Sequence, residues 1–489
     1  MSIHTGAIPL MKRARPISHR ARGLLGLAAL MLGGCVSLAP DYARGPLPVP
    51  ASWPGPGLEA EAEAEAKADT KADAAALPWQ DFVLDERLRT LISQALTHNR
   101  DLQAAAHNLE AARALYRQGR AGLFPTLGVA GTDTREWQGD DRQDSVGVTR
   151  TSQLTLATTY ELDLVGRIRN QSQAALERYL ASAEGARALR VSLIGEVAQA
   201  YLTYASDKAL GALASNTRDT AQRGMELSEA RFRQGMGTRQ DYLVQEALFQ
   251  QARADEARYA RLMAQDANAL ALLVGRPLKP EQLPDALVDG GYTQAQLPPG
   301  LPAQVLLARP DVRQAEHQLK ATHADIGVAR AAFFPTLSLT GAAGGISTTL
   351  LGLVQNPTHL AGLTGTLGLP IFSGGANEAK LAQARALREA ALASYEKAIQ
   401  KAFREVADAL VAQDTLSAEK NAQGDYLVSL EQQLRIVEAR QRLGRDGALA
   451  VFVIQRQVLA ARAALIRARL AEASNHVALY KTLGGGGAD

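Results

Sequence analysis

The sequence predicts a mainly α-helical chain made of two copies of one unit, each carrying two strands of membrane-spanning length. Three observations predict it. Asn99-Arg100-Asp101-Leu102-Gln103 recurs 210 positions later as Arg309-Pro310-Asp311-Val312-Arg313, and Leu123-Phe124-Pro125-Thr126-Leu127 recurs at the same offset as Phe333-Phe334-Pro335-Thr336-Leu337. None of the 20 prolines falls between Thr126 and Arg276 or after Pro370. A proline inside a helix costs about 3 kcal/mol, so such stretches permit unbroken helices. Between them lie runs whose hydrophobicity alternates with period two. Gly166 with Gly374, Gly235 with Gly444 and Gly275 with Gly484 continue the repeat. A unit of helix, two strands, very long helix, turn and second long helix buries little alone, so its duplication points to an elongated assembly rather than a compact enzyme.

The N-terminus sets the compartment. Lys12, Arg13, Arg15, Arg20 and Arg22 precede an apolar run from Gly23 to Leu32, too short to span a bilayer as a mature helix, so residues 1–34 are expected to be a signal peptide. The run ends in Leu32-Gly33-Gly34-Cys35, and Cys35 is the only cysteine of the chain. Small residues before a cysteine suit a peptidase cleft, and the thiol can carry acyl chains that hold the protein to a membrane. An incidental thiol is the plainer alternative. A single cysteine forbids an intramolecular disulfide, so stability must come from packing and association.

Residues 35–78 are expected to form a lipid-anchored extended segment, with six prolines from Pro40 to Pro56, followed by a low-complexity tether from Glu59 to Ala76. The folded body begins near Trp79 and divides into a first copy, 79–290, and a second, 291–489. In the first, strands are expected at about 126–137 and 152–165 and a helix pair at 167–274, turning at Gly235-Met236-Gly237. In the second, strands are expected at about 335–344 and 362–373 and a helix pair at 376–483, turning at Gly444-Arg445-Asp446-Gly447. Leu189, Leu193, Val197, Tyr201 and Tyr204 mark a coiled-coil-like stripe on the first long helix.

The strands alternate cleanly. Leu154, Leu156, Tyr160 and Leu162 are interleaved with Thr155, Ala157, Thr159 and Glu161, and Leu363, Leu367 and Leu369 with glycines and small polar residues. Nine to eleven residues is about what a tilted membrane strand needs. Long polar loops are expected at Gln138 to Thr151 and Gly341 to His359. Two amphipathic hairpins on soluble cores are the alternative. Four strands cannot close a barrel, and an open edge is untenable in lipid, so membrane strands would have to be shared between chains.

Composition excludes several classes. With 53 basic and 50 acidic residues the chain lacks a polyanion-binding signature, so no nucleic-acid partner is expected. The eight histidines form no metal-ligand pair at helical spacing, and Gly374-Gly375 lacks the lysine of a phosphate loop. No catalysis, cofactor or metal is expected; His317, His323, Glu405 and Asp408 are expected to be solvated helix surface.

Several strings carry a resemblance when taken in order: Cys35 with Ala39-Pro40-Asp41-Tyr42, Tyr160-Glu161-Leu162-Asp163-Leu164-Val165-Gly166-Arg167, Ala329-Arg330-Ala331-Ala332-Phe333-Phe334-Pro335, Leu369-Pro370-Ile371-Phe372, Phe403-Arg404-Glu405-Val406-Ala407-Asp408-Ala409-Leu410, and Leu479-Tyr480-Lys481-Thr482-Leu483-Gly484. The chain resembles the outer-membrane factors of tripartite efflux and secretion systems, the NodT family of OprM- and CusC-like lipoproteins. The resemblance implies a homotrimer with a 12-stranded outer-membrane β-barrel continuous with a periplasmic α-helical barrel. It implies acylation at Cys35, a periplasmic adaptor and an inner-membrane pump of the resistance-nodulation-division class. The duct would export drugs or other small toxic compounds; protein or oligosaccharide secretion and a structural coiled-coil lipoprotein are the alternatives. The tips, at Arg233, Gly235, Gly237, Arg442, Gly444 and Asp446, would dock the adaptor, and the tip glycines also serve simply to reverse the chain. In relatives of the OprM kind a leucine, an aspartate and an arginine constrict the closed pore. By position these are Leu449, Val453 and Arg456, so the acidic residue is replaced; Asp446 or Asp241 is the candidate partner for Arg456.

Overall fold

Where proline is absent, the backbone is helical for very long runs. The computed structural model describes residues 37–53, 78–140, 145–287, 292–293 and 303–485. Its elements are α1 (Trp79–Phe82), α2 (Glu86–His98), α3 (Arg100–Ala121), β1 (Thr126–Asp140), β2 (Ser145–Leu162), α4 (Arg167–Arg233) and α5 (Arg239–Val274). Then follow α6 (Pro310–Ala331), β3 (Thr336–Ser347), α7 (Leu350–Gln355), β4 (Thr358–Gly368), α8 (Ala376–Arg442) and α9 (Ala448–Thr482). Among the described residues the fold is thus mainly helical with one four-stranded sheet. Helices α4 and α8 have 67 residues each, and each ends with two arginines that offset its C-terminal dipole.

From the second strand onward, equivalent landmarks lie 209 positions apart: Arg167 with Ala376 at the helix starts, Gly235 with Gly444, and Gly275 with Gly484. By this register Gly166 corresponds to Gly375, not Gly374; Gly166 and Gly375 each have positive φ (78° and 84°) directly before a long helix.

The chain forms two compact units. Of the described residues, the first holds 37–42 and those within 115–176 and 321–388, and contains the sheet. Its strands run antiparallel in the order β1-β2-β3-β4, with Thr126 opposite Thr159, Leu162 opposite Leu337 and Thr336 opposite Gly368. Register and side-chain alternation therefore put Leu127, Val129, Leu154, Leu156, Leu363 and Leu367 on one face, all exposed. Thr126, Thr155, Thr159, Ser338, Thr340, Thr364 and Thr366 share the other. The strands reach further into the expected loops than the sequence suggested, while β2 ends at Leu162 and β4 at Gly368, short of the expected 165 and 373. β1 continues to Asp140, β2 starts at Ser145, and β3 runs past the expected 344 to Ser347. Small residues there admit close backbone approach: a Cβ on Gly344 would lie 2.1 Å from the Leu154 carbonyl oxygen. What remains of the expected second loop includes α7, capped by the Thr349 side chain.

The segment Ser37–Tyr42 is tied into this unit. Ser37 donates to Asn170 Oδ1 at 2.8 Å, and Arg330 donates to the Leu38 carbonyl at 2.9 Å. Gly327 makes the approach possible, since a Cβ there would sit 2.8 Å from the Ala39 nitrogen.

The second unit holds the described residues within 43–114, 177–320 and 389–485. Leu88, Leu91, Ile92 and Ala95 of α2 bury their face against Val197, Tyr201 and Leu202 of α4 and Leu270 and Val274 of α5. Gly275 ends α5 at φ 77°, so close to α2 that a Cβ would lie 2.4 Å from the His98 carbonyl oxygen. Trp53 stacks on Phe403 at 5.1 Å and donates to its carbonyl, which pins the proline-rich segment to α8.

Three side chains read as solvated are not: His323 packs edge-on against Tyr42, ring centroids 5.5 Å apart, with its Nδ1 buried. His317 meets Glu177 at 2.7 Å, and Glu405 pairs with buried Arg309 at 2.8 Å. Both pairs join segments distant in sequence, so helical periodicity alone could not reveal them.

Candidate channel tips and gate

Each helical reversal is built by a short backbone program. At the first, Gly235 at φ 71° turns the chain, and the Met236 amide donates to the Arg231 carbonyl at 2.8 Å. At the second, Gly444 at φ 70° plays that part and the Arg445 amide donates to the Arg440 carbonyl at 2.9 Å. These are the six-to-one bonds of a Schellman turn, which satisfies otherwise orphaned helix carbonyls.

The next helices start differently. Thr238 and Asp241 form a capping box on α5, with Asp241 accepting from Thr238 Oγ1 at 2.7 Å and Thr238 Oγ1 accepting from the Asp241 amide at 3.1 Å. Helix α9 begins at Gly447, with no side-chain cap and no acidic residue in its first turn. The second tip is therefore the less secured of the two.

Of the other tip residues, Arg233 pairs with Glu229 on its own helix, Arg442 is exposed, and Gly237 has an ordinary φ with Arg231 close by. Asp446 accepts from Arg440 at 3.0 Å. Neither acid considered for Arg456 engages it within the chain: Asp446 is held by Arg440 and Asp241 by its cap. The Arg456 guanidinium lies over the Phe452 ring instead, 5.8 Å from its centroid.

Leu449, Val453 and Arg456 fall at i, i+4 and i+7 on one exposed stripe of α9, with Leu449 at 53% and Val453 at 45% exposure. The opposite stripe, Ile454, Val458 and Ala461, is buried with Leu430 of α8. Helix α9 is thus apolar on both sides. A stretch of 18 residues reaches a mean hydropathy of 1.6 with only 22% buried.

These features match known proteins closely. The outer membrane efflux protein family model matches twice, over residues 91–276 and 301–485. The chain belongs to the outer membrane efflux protein family. It is 40% identical to the solvent efflux pump outer membrane protein SrpC of Pseudomonas putida over 467 residues, 94% of this chain and 97% of SrpC. Among solved structures it is similar to CusC, at 33% identity and a TM-score of 0.82, covering 92% of this chain and all of that one. The open state of the Neisseria gonorrhoeae outer membrane channel MtrE matches at 35% identity and a TM-score of 0.80, covering 92% and 98%. As a member of this family, the chain is an outer-membrane component of efflux.

Cys35, the expected acylation point, lies outside the described residues. One feature of this efflux protein escaped the sequence reading. Asp207 of α4 and Asp266 of α5 share a half-buried site with Tyr204. Burial, and then the negative charge of Asp207 and its hydrogen bond, push Asp266 up to about 6. Burial raises Asp207 as well, with Arg258 and Arg467 opposing the rise. The two positions are 59 residues apart on separate helices, so only the folded hairpin pairs them.

Proposed function

We propose that three copies of this chain assemble into a gated export duct, with four strands from each closing a 12-stranded barrel in the outer membrane. The observation that carries the reading is the sheet itself. One face presents leucine and valine among glycines, the other is rich in threonine and serine, and among the described residues β1 and β4 each keep an unpaired edge. Lipid tolerates no such edge, so the first and last strands need partners from neighbouring copies. The long helices, two pairs per chain produced by an internal duplication, would line a periplasmic passage, and the uncovered apolar side of α9 supports packing against further helices.

The passage opens and closes at the second tip. Leu449 and Val453 form an apolar constriction where relatives of the OprM kind carry an acidic residue, and Arg456 is held by Phe452 rather than by an acid. Arg233, Gly235, Gly237, Arg442, Gly444 and Asp446 offer the surface for a periplasmic adaptor, which couples the duct to an inner-membrane pump of the resistance-nodulation-division class. Cargo enters from that pump, so the duct itself performs no covalent chemistry. SrpC is named for solvent efflux, and small toxic organic compounds are the substrate class we assign. Acyl chains on Cys35 would sit two residues before Ser37, which is itself fixed to Asn170.

Single-channel conductance in planar bilayers tests the reading. Wild type should conduct weakly and Leu449→Gly with Val453→Gly strongly. Equally high conductance in both would place the gate elsewhere, and none in either, from folded oligomer, would overturn the duct.

A further inference from the structure

In the second unit a recess of about 340 Å³ opens where α1, α4, α6 and the end of α9 converge. Its lining includes Trp79, Glu184, Arg187, Arg190, Arg313 and Gly485. Three guanidinium groups face one carboxylate, so the recess carries an excess of positive charge. The pairing inside it is incomplete. Arg187 takes Glu184 Oε1 at 2.7 Å, and Arg313 reaches the same oxygen only at 4.0 Å. Arg190 has no carboxylate partner among the described residues.

Two buried polar atoms in the lining are unsatisfied among the described residues: the Trp79 indole N–H and Glu184 Oε2. A buried donor and a buried acceptor without partners each weaken the fold, and a ligand that met both would recover that loss. The complementary ligand has acceptor oxygens carrying negative charge, for Arg190, Arg313 and Trp79, and at least one hydroxyl to donate to Glu184. Guanidinium groups suit phosphate oxygens because of their planar fork of donors.

We infer that this recess binds a hydroxylated phosphate ester of glycerol phosphate size. The shared chemistry could be supplied by a free solute or by a phospholipid headgroup. The assignment stands apart from the duct reading, since it rests on none of the tip, gate or sheet residues.

Isothermal titration of the purified full-length protein in detergent tests it, with glycerol 3-phosphate and inorganic phosphate as probes. Glycerol 3-phosphate should bind in the submillimolar range, at least about threefold tighter than inorganic phosphate, because its carbon-borne hydroxyls reach Glu184 while its phosphate oxygens stay on the arginines. Arg190→Gln with Arg313→Gln should weaken it about tenfold or more, and Trp79→Phe, which keeps the ring but removes the N–H, by about three- to tenfold. A short-chain phosphatidylglycerol binding tighter than glycerol 3-phosphate would assign the site to lipid, and a weaker one to a free solute. No binding by folded wild type, equal affinity for the two probes, or affinities untouched by both variants would overturn the proposal.

Discussion

Arg309 and Glu405, 96 residues apart, meet at 2.8 Å with the arginine side chain only 8% exposed. The same guanidinium binds Asp311 at 2.7 Å and donates to the Thr482 carbonyl at 2.6 Å, so one buried cation ties the start of α6 to α8 and α9. Arg309→Ala would remove that tie and leave Glu405 with Lys401 at 3.7 Å and Asp311 with the Val312 amide at 2.9 Å. Because Asp311 and Glu405 are 38% and 26% exposed, water takes over part of the lost pairing, and chemical denaturation should show a loss of about 1–3 kcal/mol. An unchanged midpoint would remove Arg309 from the list of stabilising contacts.

Asp266 makes stability depend on pH. Its folded pKa of about 6 lies above its ordinary 3.8, so between those values the folded chain binds the extra proton. Stability from this group is therefore fully present below pH 3.8 and falls as pH rises through about 6. Asp266→Asn should stabilise the protein at pH 7–8 and flatten its melting temperature between about pH 4 and 7. If the variant melts with the wild-type pH profile, the carboxyl pair does not titrate as described.

The unequal caps predict unequal fraying. Thr238→Ala removes the capping box of α5 and should cost about 1 kcal/mol locally. Hydrogen exchange of the amides just after 238 should then quicken towards the rate seen after Gly447, where no side-chain cap exists. Wild-type rates already equal at both tips would contradict the asymmetry.

The repeat also predicts how copies would join. β2 pairs with β3 so that Thr158 faces Gly341. Shifting these by 209 and 210 positions, the repeat offsets, puts Leu367 of one copy opposite Gly131 of the next. Leu367→Cys with Gly131→Cys should give oxidised trimers on denaturing gels, whereas Leu367→Cys with Thr132→Cys, pointing to opposite faces, should not. Each single cysteine variant serves as the control, and linkage through the shifted pair instead would refute the register.

Much of the helical architecture was legible because its signals are local. Proline is confined to junctions, and Gly235, Gly275 and Gly444 stand where the chain needs positive φ. The strand ends 345–347 and 138–140 were not, because glycine and short polar residues look like loop until a neighbouring strand supplies the ladder. Arg309 with Glu405, His317 with Glu177 and Asp207 with Asp266 were invisible for another reason. Each joins residues tens of positions or more apart, and no periodicity within one element can predict a partner on another. Position along the family pattern picked out Leu449, Val453 and Arg456 as gate candidates but could not show the cation–π contact with Phe452 that occupies Arg456.

The two bare edges of the sheet have a consequence for inheritance. If closure needs three sound copies, a single chain with a spoiled β1 or β4 edge disables every ring it enters. Equal expression of such a variant beside wild type would leave about one ring in eight intact, a dominant loss of export from a gene that still supplies half its product in working order.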